Sequence, residues 1–225
     1  MIVFDKVSKK FPLGNFALNE VSFEIDNNEF LFLVGPSGAG KTSVIKLILK
    51  ELLPSSGSIL IDDEDISSPV FKKVTELRRK IGVVFQDFKI LLDKNVFENI
   101  AIACQIKNLS HSQTKNQVKE ALSLVNLSKK EGVFPVQLSA GELQRVAIAR
   151  AIADERKYLL VDEPTSNLDP KTSWEIMKIF KKLEGKKTII IATHNSDIVN
   201  SFQKRVLVLK EGKLVKDQRK GGYNI

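Results

Sequence analysis

A glycine-rich segment between an apolar run and an amphipathic stretch has the composition of a phosphate-binding loop. Its residues are Gly35, Pro36, Ser37, Gly38, Ala39, Gly40, Lys41 and Thr42, which fit the pattern G-x-x-x-x-G-K-[ST]. Glycines let backbone N–H groups approach phosphate oxygens closely at the positive end of a helix. In such loops the lysine reaches the β and γ phosphates, and the hydroxyl binds Mg²⁺. We therefore expect this loop, extended to Ser43, to bind a nucleoside triphosphate.

Two adjacent acids, Asp162 and Glu163, end a buried apolar run that begins at Tyr158. An acid in this position can hold a metal ion through its water shell, and a second carboxylate beside the metal can deprotonate an attacking water. We assign the first role to Asp162 and the second to Glu163. An acidic helix cap is the alternative, since such caps are common after strands. The phosphate loop upstream favours the catalytic interpretation.

A third segment, Leu138-Ser139-Ala140-Gly141-Glu142, precedes a helical run. Ser139 and Glu142 have the spacing of a capping box, which explains the pattern locally. A helix that begins with small residues is also a ready anion site. Because the phosphate loop already has its own helix, a second helix start of this kind suggests a second phosphate partner. Both interpretations stay open on the residues alone.

The elements that must position these residues alternate between strand and helix signals. Apolar alternation before residue 26 predicts antiparallel strands, and helical spacing replaces the β signals from 87 to 138. The order predicts an α/β fold with a parallel sheet covered on both faces and a helical insertion. Further predictions are strands at 30–34, 57–66, 81–85, 158–161 and 188–192, a helix at 41–52, and a hairpin of 205–209 with 213–215.

The chain's composition suits one large domain, since 43% of its 225 residues are hydrophobic and 28% are charged. No apolar stretch approaches the roughly 20 residues of a membrane-spanning helix, and no signal peptide is evident. We therefore expect a cytoplasmic protein. The single cysteine, Cys104, lies among apolar residues and predicts a buried structural thiol.

The net charge of +8 leaves several partners open. It is consistent with a solvated lysine-rich face, with contact to an anionic membrane surface, or with nucleic-acid binding. The densest basic patch lies at the C-terminal end, where aromatic side chains that could stack on bases are scarce. We therefore expect no nucleic-acid partner.

The motifs together resemble those of the ABC ATPase family, whose LSGGQ-like segment precedes the metal-binding acid; here that segment reads LSAGE. The resemblance implies a P-loop NTPase (RecA-like) ABC nucleotide-binding domain with an antiparallel β subdomain and an inserted α-helical subdomain. Residues 1–86 and 139–225 would form the β subdomain and core of this single domain, and 87–138 the helical insert. It also implies ATP hydrolysis with Mg²⁺ by a homodimer, in which Ser139, Ala140, Gly141 and Glu142 contact the nucleotide on the other copy.

The same resemblance assigns roles to residues that alone would be ambiguous. Gln86 matches a glutamine that contacts Mg²⁺ or the attacking water. His194 matches a histidine that contacts the γ-phosphate; a lone histidine is more often structural, but its place at the carboxyl end of a parallel strand favours the ligand crevice. Phe11 matches the aromatic residue that stacks on adenine, with a core position as the alternative, and residues 166 to 169, including Asp169, resemble the D-loop of the dimer interface. The expected catalytic residues are Lys41, Gln86, Glu163 and His194, and the expected metal ligands are Thr42, Gln86 and Asp162.

The chain resembles one branch of this family more closely than the others. This branch comprises the cell-division ATPases of the FtsE type, whose membrane partner is FtsX. The resemblance rests on residues 77–82, 85–88, 91–92 and 96–99, above all on Asp87 directly after the glutamine. It implies a peripheral location on the cytoplasmic face of the membrane and control of cell-wall hydrolysis. Residues 87–106 would receive a short helix of an FtsX-like partner, or would be subdomain core. Lipoprotein-releasing, macrolide-efflux and solute transporters, and a non-hydrolysing binding module, are the alternatives.

Overall fold

A computed structural model describes residues 1–12, 14–166 and 168–222 of the chain. The described part contains no helix long and apolar enough to cross a membrane. A short 3₁₀ turn, Pro135–Gln137, lies between the fourth and fifth helices. In chain order the elements are β1 (Ile2–Lys10), β2 (Phe16–Ile25), β3 (Phe30–Val34), α1 (Lys41–Ile48), β4 (Ser56–Ile61), β5 (Glu64–Asp65), α2 (Val74–Arg79), β6 (Ile81–Val84), α3 (Val96–Ile106), α4 (His111–Leu124), α5 (Ala140–Ile152), β7 (Tyr158–Asp162), α6 (Pro170–Lys182), β8 (Thr188–Thr193), α7 (Ser196–Phe202), β9 (Arg205–Lys210) and β10 (Lys213–Gln218).

The chain forms two compact units, of which the first comprises Met1–Arg78 and Gly185–Ile225. Four antiparallel strands in the order β2-β1-β4-β5 make one sheet of this unit. Elsewhere in the unit β3 pairs in parallel with both β8 and β9, and all of its residues are buried, as expected for a strand in the middle of a parallel sheet. The turn before β3 contains Asn28 at φ 61°, a left-handed conformation that asparagine tolerates.

The second unit is Arg79–Glu184. Its strands β6 and β7 pair in parallel, and α5 packs against β6 and against helices α3, α4 and α6. The approach of α5 to β6 is close, because a Cβ on Gly82 would lie 2.2 Å from the carbonyl oxygen of Ala151. Cys104 is fully buried on α3, and this burial raises the pKa of its thiol, in agreement with the structural role predicted for it.

Two predicted elements differ from the structure. The predicted strand 57–66 is a hairpin, because Asp62 and Asp63 adopt φ of 51° and 64° and reverse the chain between β4 and β5. The predicted helix 41–52 ends at Ile48, and Lys50 has φ 50°. The Lys50 ammonium group donates to the carbonyl oxygens of Ile66 and Ser68, contacts distant in sequence that hydrophobic periodicity does not encode.

Candidate functional site

The phosphate loop joins β3 to α1 in the first unit. Gly40 caps α1 with φ 108°, and a Cβ there would lie 2.4 Å from the carbonyl oxygen of Ala17. Gly35 has φ 153°, and a Cβ at this position would lie 2.2 Å from the carbonyl oxygen of Leu209. Glycine is therefore required at both ends of the loop, by conformation and by close backbone packing.

The side chains of the loop present donors around the start of α1. Lys41 is 7% exposed, and its ammonium group donates to the carbonyl oxygens of Gly35, at 2.7 Å, and Pro36, at 3.2 Å. Thr42 is exposed, as are Pro36, Ser37 and Gly38, whereas Ala39 is buried and Ser43 half-buried. This arrangement places a positive charge and a hydroxyl beside the N-terminus of a helix, where a phosphate group is favoured.

Two more predicted site residues lie in the same unit. Val34 pairs with Thr193, so Gly35 and the exposed His194 follow their parallel strands at the same end. A residue in this position can face a ligand bound at the carboxyl end of the sheet. Phe11 is 40% exposed, and the Lys9 ammonium nitrogen lies 5.7 Å from the centre of its ring. This exposure excludes the core position and leaves part of the ring available for stacking on a base.

The predicted residues of the second unit include two that follow paired strands. Val84 pairs with Val161, so Gln86, which is exposed, and Glu163, which is half-buried, both lie beyond the same end of β6 and β7. Glu163 has φ 47°, a conformation that costs a residue with a side chain about 1 kcal/mol or more and that is typical of functional sites. The Ser166 hydroxyl lies 3.5 Å from its carboxylate, and Asp162 is buried at the end of β7.

The segment LSAGE forms the start of α5. Ser139 is the N-cap, its Oγ accepts from the N–H of Glu142 at 3.4 Å, and the Glu142 carboxylate accepts from the N–H of Ser139 at 3.1 Å. The capping box is therefore confirmed. The box uses the N–H groups of Ser139 and Glu142. The N–H groups of Ala140 and Gly141, which lie between them, have no intrahelical acceptors. The cap and an anion site are thus compatible at this helix start.

A cavity of about 820 Å³ lies against this helix start within the second unit. Gly141 approaches α6 closely, since a Cβ there would lie 2.6 Å from Thr172 Cγ2, whereas Ala140 is exposed and its methyl group is accommodated. Asp169 caps α6 by accepting from the N–H of Thr172, and hydrogen bonds from the hydroxyl and then the N–H of Thr172 lower the pKa of its carboxyl group. Asn167 of the predicted D-loop lies outside the described residues. The cavity is lined by Asn126, Leu127, Ser139, Ala140, Gly141, Glu142, Arg145, Leu168, Asp169, Thr172 and Glu175.

Arg150 of α5 is a site residue that the sequence did not predict. Its guanidinium group donates to the carbonyl oxygens of Lys89, at 2.7 Å, and Phe88, at 2.9 Å. Both acceptors have positive φ, of 51° and 56° respectively, in the segment directly after Gln86. Arg150 therefore ties the helix that begins at LSAGE to the segment that follows the glutamine. The available signal was an arginine inside the otherwise apolar stretch 146–152.

Asn99, in one of the stretches that carry the branch resemblance, fixes the loop before α3. It is fully buried; its Oδ1 accepts from the N–H of Leu91, and its Nδ2 donates to the carbonyl oxygens of Leu91, Lys94 and Asn95 at 2.9 to 3.0 Å. We expect Asn99→Ala to lower the free energy of unfolding by about 2 kcal/mol or more, because buried loop groups lose their partners. Urea unfolding measures this, with the exposed Asn116→Ala on α4 as control. Equal stability of the two variants would contradict the assignment.

Comparison with known proteins identifies the class to which this fold and these motifs belong. The ABC transporter family matches residues 18–166 of the chain. The chain therefore belongs to this family, and it is an ABC ATPase, as predicted. The Cell division ATP-binding protein FtsE of Bacillus subtilis is 46% identical over 224 residues, which are 99% of this chain and 98% of that protein. FtsE of Mycobacterium tuberculosis is 40% identical over 227 residues, 100% of this chain and 99% of that protein.

Other relatives and solved structures agree on the class. A Methionine import ATP-binding protein, MetN 1 of Yersinia pestis, is 39% identical over 220 residues, which are 96% of this chain but 64% of that protein. Among solved structures, the dimeric post-hydrolysis state of the ATP-binding cassette MJ0796 with ADP and Pi has a TM-score of 0.89 and 33% identity, and covers 99% of this chain and 100% of that one. The predicted α/β P-loop fold of an ABC cassette is confirmed.

Proposed function

We propose that this chain is the ATP-hydrolysing subunit of an FtsE–FtsX-type complex at the cytoplasmic face of the membrane. In this proposal two copies close on ATP, and an integral membrane partner resembling FtsX transmits the change to regulate cell-wall hydrolysis. The similarity to the two FtsE proteins described above carries this proposal, because each of them matches this chain over at least 98% of both sequences. A MetN-like solute importer is the second candidate, and its relative extends well beyond the matched part.

The first unit supplies the groups for binding the triphosphate in this proposal. Backbone N–H groups from Ser37 to Thr42 and the Lys41 ammonium group bind the β and γ phosphates. Phe11 stacks on the adenine through its exposed face. His194, at the end of β8, contacts the γ-phosphate. Phe11 and His194 are exposed, and the Lys41 ammonium group lies against the loop at Gly35. These positions support the three roles.

Metal binding and proton transfer complete the proposed chemistry. Thr42, Gln86 and Asp162 would hold Mg²⁺, because a hydroxyl, an amide and a carboxylate offer the oxygen atoms that this ion prefers. When bound, Mg²⁺ neutralises charge on the β and γ phosphates. Glu163 accepts a proton from the water that attacks the γ-phosphorus, and the bond to the ADP oxygen breaks.

The second unit supplies the proposed contact with the other copy. The Ser139 hydroxyl and the N–H groups of Ala140 and Gly141 bind the γ-phosphate held by the partner's phosphate loop. Because this contact exists only in the closed pair, ATP shifts the population towards closure, and hydrolysis reverses the shift. The dimeric solved cassette bound to ADP and Pi supports this arrangement.

The proposed surface for the membrane partner is the segment from Asp87 to Ile106. Its apolar side chains divide into two sets, since Val96 and Ile100 are buried core whereas Leu91, Leu92 and Ile106 are 42%, 74% and 46% exposed. Exposed apolar residues suit the docking of an amphipathic helix. Strand β10 presents exposed Lys213 and Lys216 and is the proposed place of contact with anionic lipid.

Glu163→Gln tests the shared nucleotide. With saturating ATP and Mg²⁺, we expect light scattering to give the mass of two chains, because the variant binds ATP but does not cleave it. With ADP, or with Lys41→Ala added, the mass of one chain is expected. A single-chain mass with ATP, even beside the membrane partner, would contradict the proposal. Capture of the variant with ATP from solubilised membranes then decides between candidates, since a permease with a substrate-binding protein would indicate an importer.

A further inference from the structure

Glu142, which the family resemblance places beside the nucleotide of the other copy, forms an ion pair at the start of α5 that the steps proposed above do not use. The Glu142 carboxylate lies at the third position of the helix, lines the cavity, and pairs with the ammonium group of Lys130. Lys130 lies in a turn whose backbone is fixed on both sides, because its N–H donates to Leu127 and its carbonyl oxygen accepts from Val133. The lysine is thus held beside the helix start by a short, ordered connection.

The position of Glu142 creates an electrostatic conflict. A helix start attracts one anion through its N–H groups and dipole, and the carboxylate of Glu142 already lies there. A second, multiply charged anion brought to Ser139, Ala140 and Gly141 would be repelled by that carboxylate unless an opposite charge balances it. Lys130 supplies the balancing charge, and the contact with Lys130 is also the largest cause that lowers the pKa of Glu142.

Fold stability alone does not account for the pair. The side chains of Lys130 and Glu142 are 38% and 27% exposed, and ion pairs that retain this much contact with water contribute little to folding. The capping box itself needs only a hydrogen-bonding side chain at Glu142, which glutamine also provides. What distinguishes the charged pair is therefore its effect on an approaching anion.

We propose that Lys130 is a positioning residue for the nucleotide held by the other copy of the chain. It neutralises the Glu142 carboxylate and keeps that carboxylate turned into the capping box. The Ser139 oxygen accepts from the N–H of Glu142, so the serine and the neutralised carboxylate are held together at the helix start. This inference rests on the proposed function, in which two copies share each nucleotide.

The test measures the dissociation constant of the ATP-bound pair by analytical ultracentrifugation, with Glu163→Gln as the parent chain. We expect Lys130→Ala to weaken each contact between a helix start and the partner's nucleotide about tenfold. Because a closed pair contains two such contacts, its dissociation constant should rise about a hundredfold. Adding Glu142→Gln should restore the parent value, because no charge then needs balancing. Lys129→Ala, which removes an exposed positive charge from the adjacent position, should leave the dissociation constant unchanged.

Two further measurements separate positioning from structure. Binding of ATP to the isolated single chain and the unfolding midpoint should be the same for Lys130→Ala and its parent. The inference is overturned if Lys130→Ala does not weaken the pair, if Glu142→Gln fails to restore it, or if the loss follows a lowered unfolding midpoint. Failure of the parent itself to pair with ATP would overturn the proposed function and this inference together. Pairing of the parent that does not respond to Lys130 would overturn the inference alone.

Discussion

Glu163→Gln is expected to lower the turnover number for ATP by about 10²- to 10⁴-fold, the usual contribution of a general base. Glutamine has nearly the same shape, and it can adopt the left-handed conformation of Glu163, at φ 47°, at the same cost. The affinity for ATP should therefore change little, because binding depends on the phosphate loop. Phosphate release at saturating ATP and Mg²⁺ gives the turnover, and a fluorescent ATP analogue gives the affinity.

The control for this variant is Glu120→Gln, which removes the same charge from an exposed position on α4. Its turnover should equal that of the unmodified chain. Undiminished turnover in Glu163→Gln would exclude Glu163 as the base. A parallel loss of turnover and ATP affinity would instead assign it to nucleotide binding, since removal of a base acts on the chemical step.

The sequence predicted the local structure around the candidate site well wherever that structure depends on adjacent residues. The phosphate loop needs a strand before it, glycines within it and a helix after it, and all three are local signals around Lys41. The capping box of Ser139 and Glu142 is local as well. The strand that ends at Asp162 was predicted because a parallel strand buried on both faces is a continuous apolar run.

The sequence did not predict what depends on residues far apart in the chain. Arg150 binds carbonyl oxygens some sixty positions earlier, and Lys130 reaches Glu142 across a turn that no periodicity marks. The hairpin at Asp62 and Asp63 was missed because alternation continues through both of its strands and gives no sign of the reversal. These features appear only when the packing of the elements is known.

The structure also changes how the LSAGE segment is understood. From the residues alone, a helix cap and a phosphate contact are competing explanations of Ser139. In the folded chain the cap uses the N–H groups of Ser139 and Glu142, and the two residues between them, whose N–H groups have no intrahelical acceptor, line the cavity. The cap is therefore compatible with the proposed anion contact, because it fixes Ser139 and leaves two N–H donors of the helix start unused.

The same principle, that local geometry prepares the phosphate site, predicts a large effect of Gly40→Ala. Gly40 has φ 108°, and the added Cβ would lie 2.4 Å from the carbonyl oxygen of Ala17 and 2.8 Å from Leu18 Cδ2. The first neighbour is backbone and cannot rotate away, so either β2 or the loop must move. We expect the free energy of unfolding without nucleotide to fall by about 3 kcal/mol or more, from strain and overpacking together.

Gly38→Ala is the matched control within the same loop. Gly38 also has positive φ, of 79°, but a Cβ there would meet no atom within 4 Å. It should cost only the conformational strain, about 1 kcal/mol, so the larger loss expected for Gly40→Ala reports the contacts of Gly40 with Ala17 and Leu18. Chemical unfolding of both variants in the absence of nucleotide measures that difference. Equal losses of stability would show that the start of α1 can shift freely, in which case the loop is not held in a fixed shape for phosphate by its packing on β2.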